Sequence, residues 1–322
     1  MCRRPLVVSL VAITVRALAL LIIVELVGPK ELGRAFDHLR TGWILLIAIG
    51  ELFTYPAYIL AYRSVSRMGR EADLTLGTLA RVVVAGFGPV AIFGGFSLDR
   101  NALRSFDQGD ARAALHVSAM STLEWAVLAP ATWVVVLILL ITNSDVSGTL
   151  LWPWALGLPL GIALVLLAIR PAHAKRLSRR RGHRITLVAD MIEGVRAVIA
   201  MARAPRRFAW AWVGTSLYWG AEATALYGAL RAVGLDLGVA RTVLAYSSGY
   251  VASRRALPLG GAGLTEALLI YSLYSLGEPV GPSVAAVMLY RMFNFMTVVI
   301  PALIAHRGLT MTLLIDDPAA AS

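Results

Sequence analysis

Nine charged side chains fall inside stretches that are otherwise apolar: Arg16, Glu51, Arg81, Glu124, Glu222, Arg254, Arg255, Glu266 and Arg291. An ionised group at the middle of a bilayer costs about 2.5 to 3.5 kcal/mol on insertion scales, so each needs a partner or water. Four acids and five bases nearly balance, and a network of pairs facing a central cavity is the least costly arrangement. Such pairs can fix helix register, or they can line a polar path and bind a headgroup. Glu222, Glu266 and Arg291 read as functional, whereas Arg16, Glu51 and Glu124 divide evenly between the two roles. Arg81 and the adjacent Arg254 and Arg255 could instead snorkel to an interface.

The most informative string is LPLGGAGLTE, residues 257–266. Gly260, Gly261 and Gly263 admit positive φ and close backbone approach. A helix starting near Ala262 would aim free N–H groups into the cavity. With Arg254 and Arg255 nearby and Pro258 breaking the chain, a lipid phosphate could be held there; the alternative is a tight hairpin that uses glycine for packing. No strand precedes the glycines and no GK[ST] follows, so neither a dinucleotide fold nor a P-loop applies. Cys2 is the single cysteine and the five histidines lack ligand spacing, so neither metal nor cofactor is expected.

The elements that must position these residues are membrane spans. Of 322 residues, 58% are hydrophobic and 15% charged, with a mean hydropathy of +0.72, which excludes a soluble globular enzyme. A span needs about 20 mostly apolar residues. Clear runs lie at 5–28, 42–62, 111–141 (broken near Pro130), 149–169, 208–230 and 282–305. Two further stretches, 74–98 and 239–276, are interrupted midway by Gly and Pro, and backbone of that kind survives at membrane depth only where protein or a wet cavity satisfies it. The segment 170–207 holds eleven Lys or Arg against Asp190 and Glu193, so the positive-inside rule makes it cytoplasmic. That sidedness holds if 74–98 enters and returns on one side, with Arg63, Arg67 and Arg70 inside. Both termini are then cytoplasmic. Six spans result, or eight if each broken stretch is two short spans.

The halves also resemble each other at an offset of about 170 residues. The run from Gly42 lines up with the run from Ala211, placing Glu51 opposite Glu222, and Gly94, Ala113 and Pro130 meet Gly260, Ala285 and Pro301 in order. The expectation is an all-α polytopic bundle forming one integral membrane domain over 1–322. Repeat halves at about 42–141 and 208–305 would be inverted, each carrying a re-entrant hairpin, an architecture that puts binding sites at the repeat interface. Within 170–207, apolar positions at helical spacing with basic ends predict an amphipathic helix on the anionic inner leaflet. The charge of +11 is thus a topology signal, and no nucleic-acid partner is expected.

Tyr250, Pro258, the GGAG glycines, Glu266 and AAVMLYR ending at Arg291 before Pro301 resemble the lysylphosphatidylglycerol synthase transmembrane-region family. The resemblance covers essentially the whole chain and is most specific from about 208 to 305. It implies a bacterial inner-membrane protein that handles phospholipids or lipid-linked groups, as the flippase domain of the multiple peptide resistance factor does. It carries Pro258, Gly260, Gly261, Gly263, Glu266 and Arg291 over as site residues. The first-half motif departs from the family pattern: in GPVAIFGGFSLDR, Phe96 follows Gly95, which leaves Asp99 and Arg100 without an assigned role. The aminoacyl-transferase domain of the full synthase is not in this sequence, so lysine transfer from tRNA is not expected. A translocase of a lipid headgroup is the leading expectation. The alternatives are a membrane partner protein in envelope synthesis and an intramembrane enzyme using Glu266 or Glu222 as a base.

Overall fold

The computed structural model describes residues 28–37, 39–68, 74–88, 93–104, 109–142, 145–168, 183–250 and 263–316, with isolated positions between 10 and 25 and at 91 and 261. Among the described residues the fold is entirely helical. The helices are α1 (Pro29–Asp37), α2 (Ile44–Ser66), α3 (Leu76–Phe87), α4 (Gly95–Leu103), α5 (Gly109–Ile141) and α6 (Gly148–Ala168). They continue as α7 (His183–Arg203), α8 (Ala209–Ala232), α9 (Val239–Gly249), α10 (Leu264–Ser275) and α11 (Val280–Asp316). The expected span at 5–28 lies outside the described residues except at isolated helical positions.

Among the described residues, four helices are long and apolar enough to cross a membrane: Thr41–Ser66, Ala111–Ile141, Gly148–Leu167 and Val280–Arg307. Helix α8 has 24 residues, about 36 Å at 1.5 Å per residue. It is less apolar because its buried face carries Gly214, Thr215, Tyr218 and Glu222. The short helices α3, α4, α9 and α10 have 12, 9, 11 and 12 residues. None reaches the roughly 30 Å of a hydrocarbon core on its own.

Pro130 does not break its helix: α5 runs unbroken through it, a correction to the sequence expectation. Proline removes one backbone N–H, whereas ending a helix inside the bilayer would strand several polar groups. Continuation costs less, and α2, α6 and α11 likewise carry Pro56, Pro153, Pro159 and Pro301 within them.

The centre of the bundle is the antiparallel pair α2 and α8, the most extensive helix contact in the fold. Small residues set its closeness. A Cβ on Gly50 would lie 2.7 Å from the Ala221 carbonyl oxygen, and one on Gly214 would lie 2.7 Å from that of Ala57. At the far end, Gly228 lies against Ile47 and Trp43. Without water to drive association, helices in lipid are held by such close approach. Around this pair the connections cross over. Helices α1 and α3 pack on α11, whereas α7 and α9 pack on α5. Gly88, just after α3, meets Ala302 of α11, and Gly194 of α7 lies against Ser118 and Thr122 of α5. The amphipathic helix expected in 170–207 is α7; its Ile192, Ala197, Val198 and Met201 are buried in the protein, while Met191 stays exposed.

Candidate functional site

Helix α2 delivers Glu51 and helix α8 delivers Glu222 to the middle of their crossing, one residue beyond the Gly50–Ala221 contact. Both carboxylates are fully buried. Asn294 of α11 bridges them. Its Nδ2 donates to Glu51 Oε1 at 3.0 Å and Oε2 at 3.1 Å, and approaches Glu222 Oε1 at 3.4 Å. The other oxygen of Glu222 accepts from the phenols of Tyr290 and, at 3.4 Å, Tyr246. Four helices, α2, α8, α9 and α11, therefore contribute to one polar layer. Burial of a carboxylate is tolerable only when donors replace its hydration, and Asn294, Tyr246 and Tyr290 do so here.

Glu124 of α5 extends the layer, buried and accepting from Tyr58 of α2 at 2.6 Å. The indole N–H of Trp219 donates to the Glu124 backbone carbonyl at 3.1 Å. Thr132 of α5 and Ser247 of α9 share a buried hydroxyl contact at 2.6 Å.

Glu266 and Arg291 form a second unit. The guanidinium Nε of Arg291 donates to Glu266 Oε1 at 2.5 Å, and both side chains are more than nine-tenths buried. The other oxygen, Oε2, accepts from the Gly263 backbone N–H at 2.7 Å. Gly263 caps α10 with φ +84°, and Gly261 sits at φ +69°, conformations open to glycine and strained for other residues. The expectation of a helix N-terminus with N–H groups free for a phosphate meets a different arrangement: at Gly263 the chain's own carboxylate takes that place. One side chain thus caps the helix and neutralises a buried arginine.

A continuous run of rings encloses the layer. Phe87 lies 5.0 Å from Tyr58, Tyr58 lies 5.0 Å from Tyr218, and Trp219 lies 4.8 Å from Tyr250. Tyr250 stacks on Tyr246 at 5.4 Å, and the Tyr218 and Tyr250 hydroxyls are 3.1 Å apart. Phe87 ends α3 and Tyr250 follows α9, so the inner ends of the two short-helix segments meet the same aromatic wall.

Of the residues expected to line a site, Glu51, Glu222 and Glu124 occupy the layer, with Glu266, Arg291, Gly261 and Gly263 in the second unit. Arg81 stands on the exposed face of α3 and joins neither. Arg16, Arg254, Arg255, Pro258 and Gly260 lie outside the described residues. Sequence reasoning missed Asn294, Tyr58, Tyr246 and Tyr290. Asn294 was the findable one: an amide inside a span must bond to something, and it sits one turn beyond Tyr290 and three residues beyond Arg291. Among the described residues no cluster of His, Cys, Asp and Glu could hold a metal ion.

The sequence matches the family described as the lysylphosphatidylglycerol synthase TM region over residues 6–302. The chain belongs to that family. Comparison with curated proteins finds no match. The match spans every residue of the polar layer and the Glu266–Arg291 unit, so both are built within the lysylphosphatidylglycerol synthase TM region, and the chain is a membrane protein of that family.

Proposed function

We propose that this chain moves a phospholipid headgroup of the lysylphosphatidylglycerol type between the leaflets of a bacterial inner membrane, with the buried carboxylate layer as the path. The observation that carries this reading is the convergence of Glu51, Glu222 and Asn294 at the centre of the bundle, between two short-helix segments that cannot cross the bilayer on their own. Such a headgroup joins ammonium groups to a phosphodiester. Carboxylates are complementary to the first and the Arg291 guanidinium to the second.

An inverted repeat supports the reading. In a pair related by a two-fold axis in the membrane plane, equivalent helices run antiparallel and meet at equivalent residues. Glu51 and Glu222 stand at that meeting point, and Gly50 on Ala221 is mirrored around it by Gly214 on Ala57 and Gly228 on Ile47. The crossed packing of α3 on α11 and α9 on α5 follows the same relation. Under this reading α3–α4 is re-entrant from the cytoplasm and α9–α10 from outside. Antiparallel packing also brings Arg206 and Arg207, just before α8, to the end of α2 that bears Arg63 and Arg67. That concentration of basic residues supports a cytoplasmic face there, with both termini on it. Full burial of Glu51 and Glu222 makes this conformation an occluded one, and rocking of either hairpin would open the layer to one leaflet.

The test is leaflet exchange of fluorescent lysylphosphatidylglycerol in liposomes containing the full chain, beside Glu222→Gln. Exchange that Glu222→Gln reduces at least about tenfold, the factor of one lost charge-assisted contact, supports a translocase. Folded protein that leaves exchange at the level of empty liposomes overturns it in favour of a partner protein without transport activity.

A further inference from the structure

We propose that the cytoplasmic corner between α2 and α3 is a second site, distinct from the buried layer, that binds a phosphate group. Arg63, Ser66 and Arg67 of the α2 end, with Leu74, Thr75 and Leu76 at the start of α3, line a cleft of about 190 Å³. Arg63 and Arg67 are one helical turn apart, so their side chains leave α2 on the same face. Both are exposed, and Ser66 beneath them is buried. The Ser66 hydroxyl donates to the Arg63 carbonyl at 2.8 Å, which leaves its lone pairs on the cleft side of the bond free to accept.

The charge at this corner is not balanced by the described residues. Arg100, Arg196, Arg231 and Arg291 each meet a carboxylate, of Asp190, Glu193, Asp236 and Glu266. Arg63 and Arg67 form no such pair with a described carboxylate. The contrast with the matching corner between α8 and α9 is direct. There Arg231 pairs with Asp236, its guanidinium lies over the rings of Trp43 and Tyr227 at 5.2 and 5.9 Å, and the Leu235 N–H closes on the Leu230 carbonyl. At one corner the acid of the connection pairs with the arginine; at the other, where Glu71 and Asp73 of the connection lie outside the described residues, the described lining presents two guanidinium forks to a cleft.

The chemistry of the occupant follows from the lining. Guanidinium forks match the oxygens of a phosphate better than those of any neutral ligand, and Ser66 adds a hydroxyl, while the Thr75 hydroxyl caps α3 by accepting from the Thr78 N–H at 3.2 Å. The volume falls below the 300 to 1,000 Å³ of sites that enclose a whole drug-sized ligand, so the cleft takes a phosphate and its immediate substituent. Leu74 and Leu76 form an apolar lip, and Arg67 directly follows the apolar span Thr41–Ser66. A lipid phosphodiester from the adjoining leaflet and a free phosphate share the required chemistry.

Equilibrium binding to the full chain in a zwitterionic detergent separates them, using radiolabelled dihexanoylphosphatidylglycerol and radiolabelled inorganic phosphate as probes. Wild type is expected to bind the lipid saturably, with affinity falling about tenfold or more in Arg63→Gln/Arg67→Gln. Arg63→Lys/Arg67→Lys, which keeps charge and loses the forks, is expected to fall between them. Binding of inorganic phosphate with the same Arg dependence assigns the site to phosphate itself; binding of the diester alone assigns it to lipid. Equal binding of both probes by wild type and the glutamine variant, with unchanged helicity by circular dichroism, overturns the site. Both arginines are exposed, so the variants fold, and failure here leaves the Glu222 exchange assay untouched.

Discussion

Replacing Asn294 by Leu tests whether the polar layer is held together by this amide. Leucine keeps the branching and heavy-atom count of asparagine with bulkier methyl ends, so the change removes the hydrogen bonds without opening a cavity. The contacts at 3.0 and 3.1 Å go to one carboxylate, Glu51, and amount to a single well-made charge-assisted bond; the third, at 3.4 Å to Glu222, is at the edge of useful geometry. Bonds to charged groups contribute about 1.5 to 3 kcal/mol in water-soluble proteins, and interhelical bonds in membranes average nearer 0.6, with a maximum of about 1.7. We expect Asn294→Leu to destabilise the fold by about 2 kcal/mol. In double-mutant cycles with Glu51→Leu and Glu222→Leu, we expect couplings of about 1.5 and about 0.5 kcal/mol. The assay is equilibrium unfolding of the detergent-solubilised chain in SDS, followed by tryptophan fluorescence. Couplings both within about 0.3 kcal/mol of zero, the usual scatter of additive sites, would refute the bridge. A larger coupling to Glu222 than to Glu51 would show that the distances misassign it.

Further outcomes follow from the packing. Gly50→Ala and Gly214→Ala each place a Cβ 2.7 Å from a backbone oxygen and should cost about 1 to 3 kcal/mol, whereas Gly220→Ala on the same helix, with nothing within 4 Å, should be neutral or stabilise by up to about 1 kcal/mol; thermal unfolding of the three variants checks the order. Glu266→Gln keeps volume and an acceptor for the Gly263 N–H but leaves the buried Arg291 without its carboxylate, a loss of about 3 to 5 kcal/mol that Glu266→Gln/Arg291→Met should partly restore in the same unfolding assay. Arg81→Gln, on the exposed face of α3, should stay within about 0.5 kcal/mol of wild type and leave leaflet exchange unchanged.

How much of this was legible depends on the kind of residue. Glu51 and Glu222 could be placed opposite each other from the sequence because a charge in an apolar run is costly anywhere, and the cost identifies it before any fold is known. Asn294, Tyr58, Tyr246 and Tyr290 could not be singled out in that way. An amide or a phenol is admitted in a span at small cost, and whether it faces lipid, protein or a carboxylate is decided by how helices rotate against one another. Tyr271 and Tyr274 of α10 are exposed, while Tyr246 and Tyr290 are buried, with nothing local to tell them apart. The two interrupted stretches, 74–98 and 239–276, were legible because Gly and Pro mark their breaks, though α4 runs on to Leu103. The fate of Pro130 was not, because its effect in lipid is set by the lack of any alternative partner for the backbone. The N-terminus of α10 was read as a vacant donor set, since sequence alone does not show Glu266 folding back on Gly263.

The proposed repeat also separates what symmetry supplies from what it does not. Counting back by the 171 residues that relate Glu222 to Glu51, Arg291 corresponds to Met120 and Asn294 to Leu123. Counting forward, Glu124 corresponds to Phe295. Met120 and Leu123 are fully buried, so these positions face inward in both halves, yet only α11 pairs them with the ion pair and the bridging amide. The scaffold is shared and the chemistry is divided: α5 supplies one acid, and α11 supplies the base and the amide. A conformation opened by moving α9–α10 breaks contacts around Glu266 and Arg291, and one opened by moving α3–α4 parts Gly88 from Ala302 and breaks the Arg100–Asp190 ion pair. Under the proposed function the two open states would differ in which ion pair they break, Glu266–Arg291 or Arg100–Asp190. An unpowered path of that kind would rest on the side whose opening costs less, and occupancy of the layer by a cationic headgroup would be the means of changing it.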